Sequence, residues 1–187
     1  KRKPISLDNL KILQERCVAM DDDLRHLVSL ISDTGMRLSE AAGLMKSDFN
    51  IDCDYPHLVI QPYPHRSLKT LSSERTVPLV GSSLWAAKQI LNNTDSIYCF
   101  SRYTSASGCN ANSASAAINK WIKTVAGSEA VIHGLRHSFR DRLRAVEAPS
   151  EVIDQLGGWS LKTIGQGYGS GYQLNILTKW LEKIVIR

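Results

Sequence analysis

No apolar run in this chain approaches the roughly 18 to 20 residues that a membrane-spanning helix needs. The opening KRKPISLDNL likewise lacks the apolar stretch of a secretory signal. A soluble, cytoplasmic protein with no membrane partner is the expectation. Cysteine is sparse as well: Cys17, Cys53, Cys99 and Cys109 stand far apart with no C-x-x-C pair. Neither a zinc ribbon nor a disulfide framework is indicated, and they read as reduced, mostly structural thiols. Acid is outnumbered, with 18 Asp plus Glu against 23 Lys plus Arg, a net charge of +5 that favours a polyanionic partner. No repeat or convincing internal boundary divides the 187 residues, and 43% hydrophobic content is enough for one domain with a real core.

What is present is first a helical pattern. Ser6 can cap a helix running to about Cys17. A second helix follows from about Asp22, its Leu24, Leu27, Val28 and Ile31 recurring on one face and Gly35 placed to end it. Arg37 then sits at a break, and Leu38 to Leu44 reads as a short third helix with Glu40 in its first turn. After Lys46 the period shifts. FNIDC, HLVIQ and ERTVPL are short and β-branched or alternating, which predicts a small antiparallel sheet with Lys69 and Thr70 in or beside the link between the second and third strands. Leu84 to Leu91 looks helical. Ser101 to Ser115 is small and polar and reads as a surface loop, with Asn112 or Ser113 capping the helix through Ala126. Further helices are expected over Gly134 to Ala145, from Pro149 to Leu156 with Gly157 and Gly158 as the stop, and over Leu174 to Ile184. The fold class is therefore mainly α with a small antiparallel β-sheet.

The segment from His133 to Tyr172 concentrates the chemistry. Arg136, Arg140, Arg142 and Arg144 crowd it against the single acid Asp141, a run that by itself also fits a solvated helix face. Each candidate alone has an ordinary reading: Arg37 as a cap, Lys69 as a solvated loop residue, Trp159 as core, and Tyr168 as core or rim. His133 and Arg136, three apart, share a helical face. His133 and His137, four apart, suggest a metalloprotease helix, but Gly134 stands where H-E-x-x-H requires Glu. Jointly the residues suit transfer at a phosphate, which needs a nucleophile, donors to the non-bridging oxygens and an acid for the leaving oxygen. Arg37 and Arg136 offer guanidinium forks that match phosphate oxygens, while His133 and Lys69 can exchange protons.

The segments TGMRLSEAAGL (Thr34 to Leu44), SLKTLSSERTVPL (Ser67 to Leu79), HGLRHSFRDRL (His133 to Leu143) and QLGGWS followed by Tyr168 resemble the tyrosine recombinase, or phage integrase, family. The resemblance covers almost the entire chain in order, and four motifs together are far more specific than any one. It implies a catalytic domain of the DNA breaking-rejoining type over residues 1–187. It also implies that the family's N-terminal core-binding domain is absent from this chain, KRKP reading as a remnant of the linker. The implied reaction is site-specific recombination or integration through a 3'-phosphotyrosyl intermediate, with no cofactor and no metal. The implied partners are double-stranded DNA recombination sites and further copies of the chain, as a tetramer on DNA.

Carried over by position, Arg37 is the first arginine, Glu40 the acid that supports it, Lys69 the lysine that protonates the leaving 5'-hydroxyl, and His133 with Arg136 the H-x-x-R pair. Many family members have a second His where this chain has Trp159, so proton traffic falls on His133 and Lys69. The family's spacing selects Tyr168, nine residues beyond Trp159, over Tyr172 as the nucleophile. Gly165, Gly167, Gly169 and Gly171 flank it at alternate positions and argue against a stable helix there. The alternatives are type IB topoisomerase-like DNA relaxation and a catalytically silent DNA-binding module of the same fold.

Overall fold

The computed structural model describes residues 3–159 and 169–187. Helix α1 (Leu7–Met20) begins at Ser6, whose hydroxyl accepts from the Asn9 amide, and continues one turn past the expected end, to a left-handed Asp21. Helix α2 (Asp23–Ser32) is capped by the Asp22 side chain. It ends at Asp33, earlier than the expected glycine stop. Gly35 instead shapes the turn into α3 (Leu38–Ala42), with φ of +64° and the Phe139 ring so close that an added Cβ would lie 2.3 Å from Cδ1.

The sheet forms as the alternation predicts. Strands β1 (Phe49–Asn50), β2 (His57–Ile60) and β3 (Arg75–Pro78) pair antiparallel in the order β1-β2-β3, with Leu58 opposite Phe49 on one side and Val77 on the other. Helix α4 (Gly81–Asn92) follows.

The polar stretch 101–115 differs from the surface loop expected of it. It contains a hairpin, β4 (Thr104–Ser105) and β5 (Gly108–Cys109), and α5 (Ala111–Ala126) starts early, capped by Asn110. Small residues suffice because burial there is confined to a few positions. Tyr103 and Thr104 are buried, and the Thr104 hydroxyl donates to the Ala42 carbonyl at 2.7 Å.

Helices α6 (Ile132–Ala145), α7 (Ser150–Gly157) and α8 (Leu174–Glu182) complete the described chain. The larger core is filled from α1 to α5 and the sheet, with Leu10, Leu27, Leu58 and Ile118 fully buried. A second cluster joins Phe139 and Leu143 of α6, Val152 and Leu156 of α7, and Leu177 and Leu181 of α8. Helix α8 therefore packs on its own domain. The N-terminal segment is fastened to α6 by Ser138, whose hydroxyl accepts from the Ile5 amide and donates to the Ile5 carbonyl, both at 2.7 Å.

No helix among the described residues is long and apolar enough to cross a membrane. The four cysteines are free, Cys17 buried and Cys53 exposed. Burial pushes the Cys17 thiol up to about 12.

Candidate active site

The site is built around one buried carboxylate. Glu40, in the first turn of α3, is 2% exposed and accepts from the Arg37 backbone amide at 2.9 Å and from Arg37 Nη1 at 2.8 Å. The same carboxylate takes Arg75 Nη2 at 3.1 Å and Nη1 at 3.4 Å. Burial alone would push the Glu40 carboxyl up. The charge of Arg75 and hydrogen bonds from Arg75 and Arg37 outweigh burial and hold it below the usual carboxylate range. Arg37, at the N-cap of α3, keeps part of its side chain in solvent, and its Nη1 also donates to Ser73 Oγ at 3.0 Å.

Arg75 is buried in β3 and connects this centre to α7. Its Nε donates to the Leu156 carbonyl at 2.9 Å and its Nη1 to the Ser73 carbonyl at 2.7 Å. The approach requires a glycine beyond α7: Gly158 has φ of +61°, and an added Cβ would lie 2.6 Å from Arg75 Nη1. The stop read from Gly157 and Gly158 is thus also what lets the chain pass over Arg75 and deliver Trp159.

Helix α6 supplies the second half. Phe139 packs against Gly35 one turn beyond Arg136, and Arg136 Nη1 donates to the Gly35 carbonyl at 2.5 Å. Arg136 is 4% exposed, and its Nη2 is buried with no hydrogen-bond partner. Burial first, then the like charges of Arg37 and Arg75, push its guanidinium down to about 9. Trp159 lies over α6, with Arg136 Cζ 4.2 Å and Arg140 Cζ 4.7 Å from its ring centroid. His133 sits one turn before Arg136, half-buried, with its ring edge-on to His137 at 5.1 Å between centroids.

Arg37, Arg136 and Trp159 are thus gathered around Glu40 and Arg75, and His133 adjoins them on α6. Lys69 is exposed in the link between β2 and β3, and no contact ties its amine to the arginines. Tyr168 lies outside the described residues. Gly169 and Gly171, beyond it, are in no helix and have φ of +87° and +77°.

The arginine-rich run of α6 is not a solvated face. Only Arg144 is well exposed there, whereas Arg142 reaches the buried Asp33 at 2.7 Å and Arg140 reaches the buried Asp154 at 3.3 Å. The acids that offset the run come from other elements, so Asp141 is not their only counterweight. Arg75 and Ser73 escaped selection by sequence, although Arg75 shares the inward phase of Val77 in β3, where a charged residue is unusual.

Chemically, the arrangement is a fixed cationic cradle with unsatisfied hydrogen-bond donor capacity, complementary to a phosphate.

A model of the phage integrase family matches residues 7–172. No curated protein matches the sequence. Among solved structures, the XerH site-specific recombinase bound to difH substrate, in a pre-cleavage complex, superposes with a TM-score of 0.62 at 18% identity, over 96% of this chain and 50% of that one. A post-cleavage XerH complex on a palindromic difH substrate gives 0.62 at 16% identity, over 97% and 50%. The Tn1549 transposon integrase in complex with transposon right end DNA gives 0.59 at 14% identity, over 98% and 66%. At these identities the likeness is one of fold, and the chain spans half the length of the XerH chain.

Proposed function

The chain belongs to the phage integrase family, and from that membership and the arginine cradle we propose that it is the catalytic domain of a site-specific recombinase acting on double-stranded DNA. The observation that carries the reading is Arg136, a buried guanidinium with an unpartnered Nη2, repelled by Arg37 and Arg75. Such a group is costly in the protein alone and is stabilised by an anion, and a scissile phosphate is the anion that family membership supplies.

In the proposed reaction the Tyr168 phenolic oxygen attacks phosphorus and its proton passes to His133. The new phosphotyrosyl bond replaces the bond from phosphorus to the 5'-oxygen, and the leaving oxygen takes a proton from Lys69 to become a free 5'-hydroxyl. Arg37 and Arg136 neutralise the charge that develops on the non-bridging oxygens. A second 5'-hydroxyl then attacks the phosphotyrosine in the reverse sense and rejoins the strand. Trp159 has only an indole N-H to donate, so it supports the guanidinium groups and carries no proton. Assembly as a tetramer on paired DNA sites, in the cytoplasm, belongs to the same proposal.

The test is a suicide substrate, a nicked duplex carrying a candidate attachment site, followed by mapping of the labelled residue. An adduct on Tyr168 that Tyr168→Phe abolishes while binding survives supports the reading. DNA binding without an adduct on any candidate site would leave a DNA-binding module. Plasmid relaxation with no recombination of paired sites would mark a topoisomerase instead.

A further inference from the structure

Helix α7 holds both ends of the stretch of chain in which Tyr168 lies. At the near end the amides of Gly158 and Trp159 donate to the carbonyls of Gln155 and Asp154, at 3.4 and 3.0 Å. These bonds close the helix where Trp159 meets Arg136 and Arg140. At the far end the Gln155 side chain takes the backbone of Tyr172. Its Oε1 accepts from the Tyr172 amide at 2.8 Å, and its Nε2 donates to the Tyr172 carbonyl at 3.0 Å. A side-chain amide used in this way stands in for one residue of an antiparallel ladder. The approach is close: Gly171 has φ of +77°, and an added Cβ there would lie 2.9 Å from Gln155 Oε1. One turn back along α7, Glu151 Oε2 accepts from the Tyr172 hydroxyl at 3.3 Å, so positions 151 and 155 form one face that receives Tyr172.

Bonds of this kind can serve stability alone, as those of Ser138 to Ile5 do. What sets Gln155 apart is its place in the chain. Gly169, Ser170 and Gly171 are exposed, and among the described residues beyond Trp159 the first buried side chain is Leu177 in α8. Tyr172 follows Tyr168 by four residues, a length of chain that spans at most about 14 Å, whereas Leu177 follows it by nine.

We propose that Gln155 is a positioning residue for the nucleophile: by tying Tyr172 to the helix that also delivers Trp159, it keeps Tyr168 on a short tether beside the arginine cradle. The inference rests on the recombinase reading for Tyr168 as the nucleophile, and it adds a residue that acts through the main chain. A tethered reactant has less freedom to lose on reaching the transition state, and a misplacement of about 1 Å caused by a change outside the chemistry can cost about 100-fold.

The experiment measures adduct formation by the full chain on the suicide substrate, at saturating duplex and under single-turnover conditions. Gln155→Met removes both bonds to Tyr172 and is expected to slow adduct formation about 10- to 100-fold, with Kd for the duplex unchanged. Gln155→Glu keeps the acceptor for the Tyr172 amide but loses the donor, and its rate should fall between the two. Hydrogen peroxide separates positioning from a general loss of structure. Supplied to Tyr168→Phe, it attacks the same phosphorus and releases the same 5'-hydroxyl, a reaction that uses the arginines but no tyrosine. Adding Gln155→Met to Tyr168→Phe should leave the peroxide reaction unchanged. An adduct rate for Gln155→Met equal to that of wild type overturns the inference, and so does a peroxide reaction slowed as much as adduct formation. In both cases the recombinase reading survives on the wild-type adduct. The absence of any adduct from the wild-type chain overturns that reading and the inference with it.

Discussion

Arg136 donates from Nη1 to the carbonyl of Gly35 at 2.5 Å, across 101 residues of sequence. The bond orients one edge of the guanidinium toward the protein and leaves Nη2 without a partner. Phe139, one turn along α6, is held against the bare backbone of Gly35, so the position of Arg136 follows from core packing. Nη2 lies beneath the surface, so a phosphate that reaches it finds a donor already oriented by the protein, which is the condition under which such groups contribute most to catalysis.

Arg136 should therefore separate stability from activity. Arg136→Met removes a buried cation that lacks a full set of partners and is repelled by its neighbours. Its thermal midpoint is expected to be no lower than wild type, while the rate of adduct formation on a suicide substrate falls by about 100-fold or more. A clear loss of stability in a calorimetric melt would contradict this.

Glu40→Gln should behave in the opposite way. It leaves Arg37 and Arg75 without the carboxylate between them, at a cost of about 3 kcal/mol in urea unfolding. The pH dependence has a definite sign. The folded carboxyl is held below its ordinary value of 4.5, so the stability it contributes is present in full above that value. It is lost as pH falls through the lowered folded value, because the unfolded chain takes up the proton first. The loss below about pH 4.5 should be shallower in Glu40→Gln than in wild type.

Trp159→Phe keeps a ring under Arg136 and Arg140 but weakens the cation-π contact and removes the indole N-H. Adduct formation should fall about tenfold, measured under single-turnover conditions, with a midpoint shift of only a few degrees. An unchanged rate would show that the ring serves packing alone.

Arg142 links α8 to the centre of the domain. Its Nη2 donates to Asp33 at 2.7 Å and to the Ile184 carbonyl at 2.5 Å, and its Nη1 to the Ser32 carbonyl at 2.8 Å. Arg142→Met leaves the buried Asp33 carboxylate without its cation and should cost about 3 kcal/mol. Amide exchange in α8 should accelerate beyond the global effect, as read by mass spectrometry. Uniform acceleration across the chain would argue that the link to Ile184 has no local role.

Much of the fold was legible because the signals were local. Ser6 and Asp22 cap helices through their own side chains, and the alternation of HLVIQ and ERTVPL needs only a two-residue period to declare strands. The hairpin β4-β5 was not legible, since small polar residues carry no periodic pattern and its burial depends on Thr104 finding the Ala42 carbonyl. Likewise α6 reads in sequence as four arginines around one aspartate. Asp33 and Asp154, which partner Arg142 and Arg140, are supplied by the α2 C-cap and by α7.

By itself, the sequence determined most of the element types and the mainly helical class, because caps and periods are written in neighbouring positions. Only the tertiary structure decided that Glu40 is shared between Arg37 and Arg75, that Ser73 joins the lysine-bearing link to both arginines, and that Arg136 is buried with one donor unspent. These depend on which side chains meet after α2, β3, α6 and α7 have packed. That outcome is set by the shape of the shared core, by the bare backbones of Gly35 and Gly158, and by the need to pair each buried charge, and no short stretch of sequence records it.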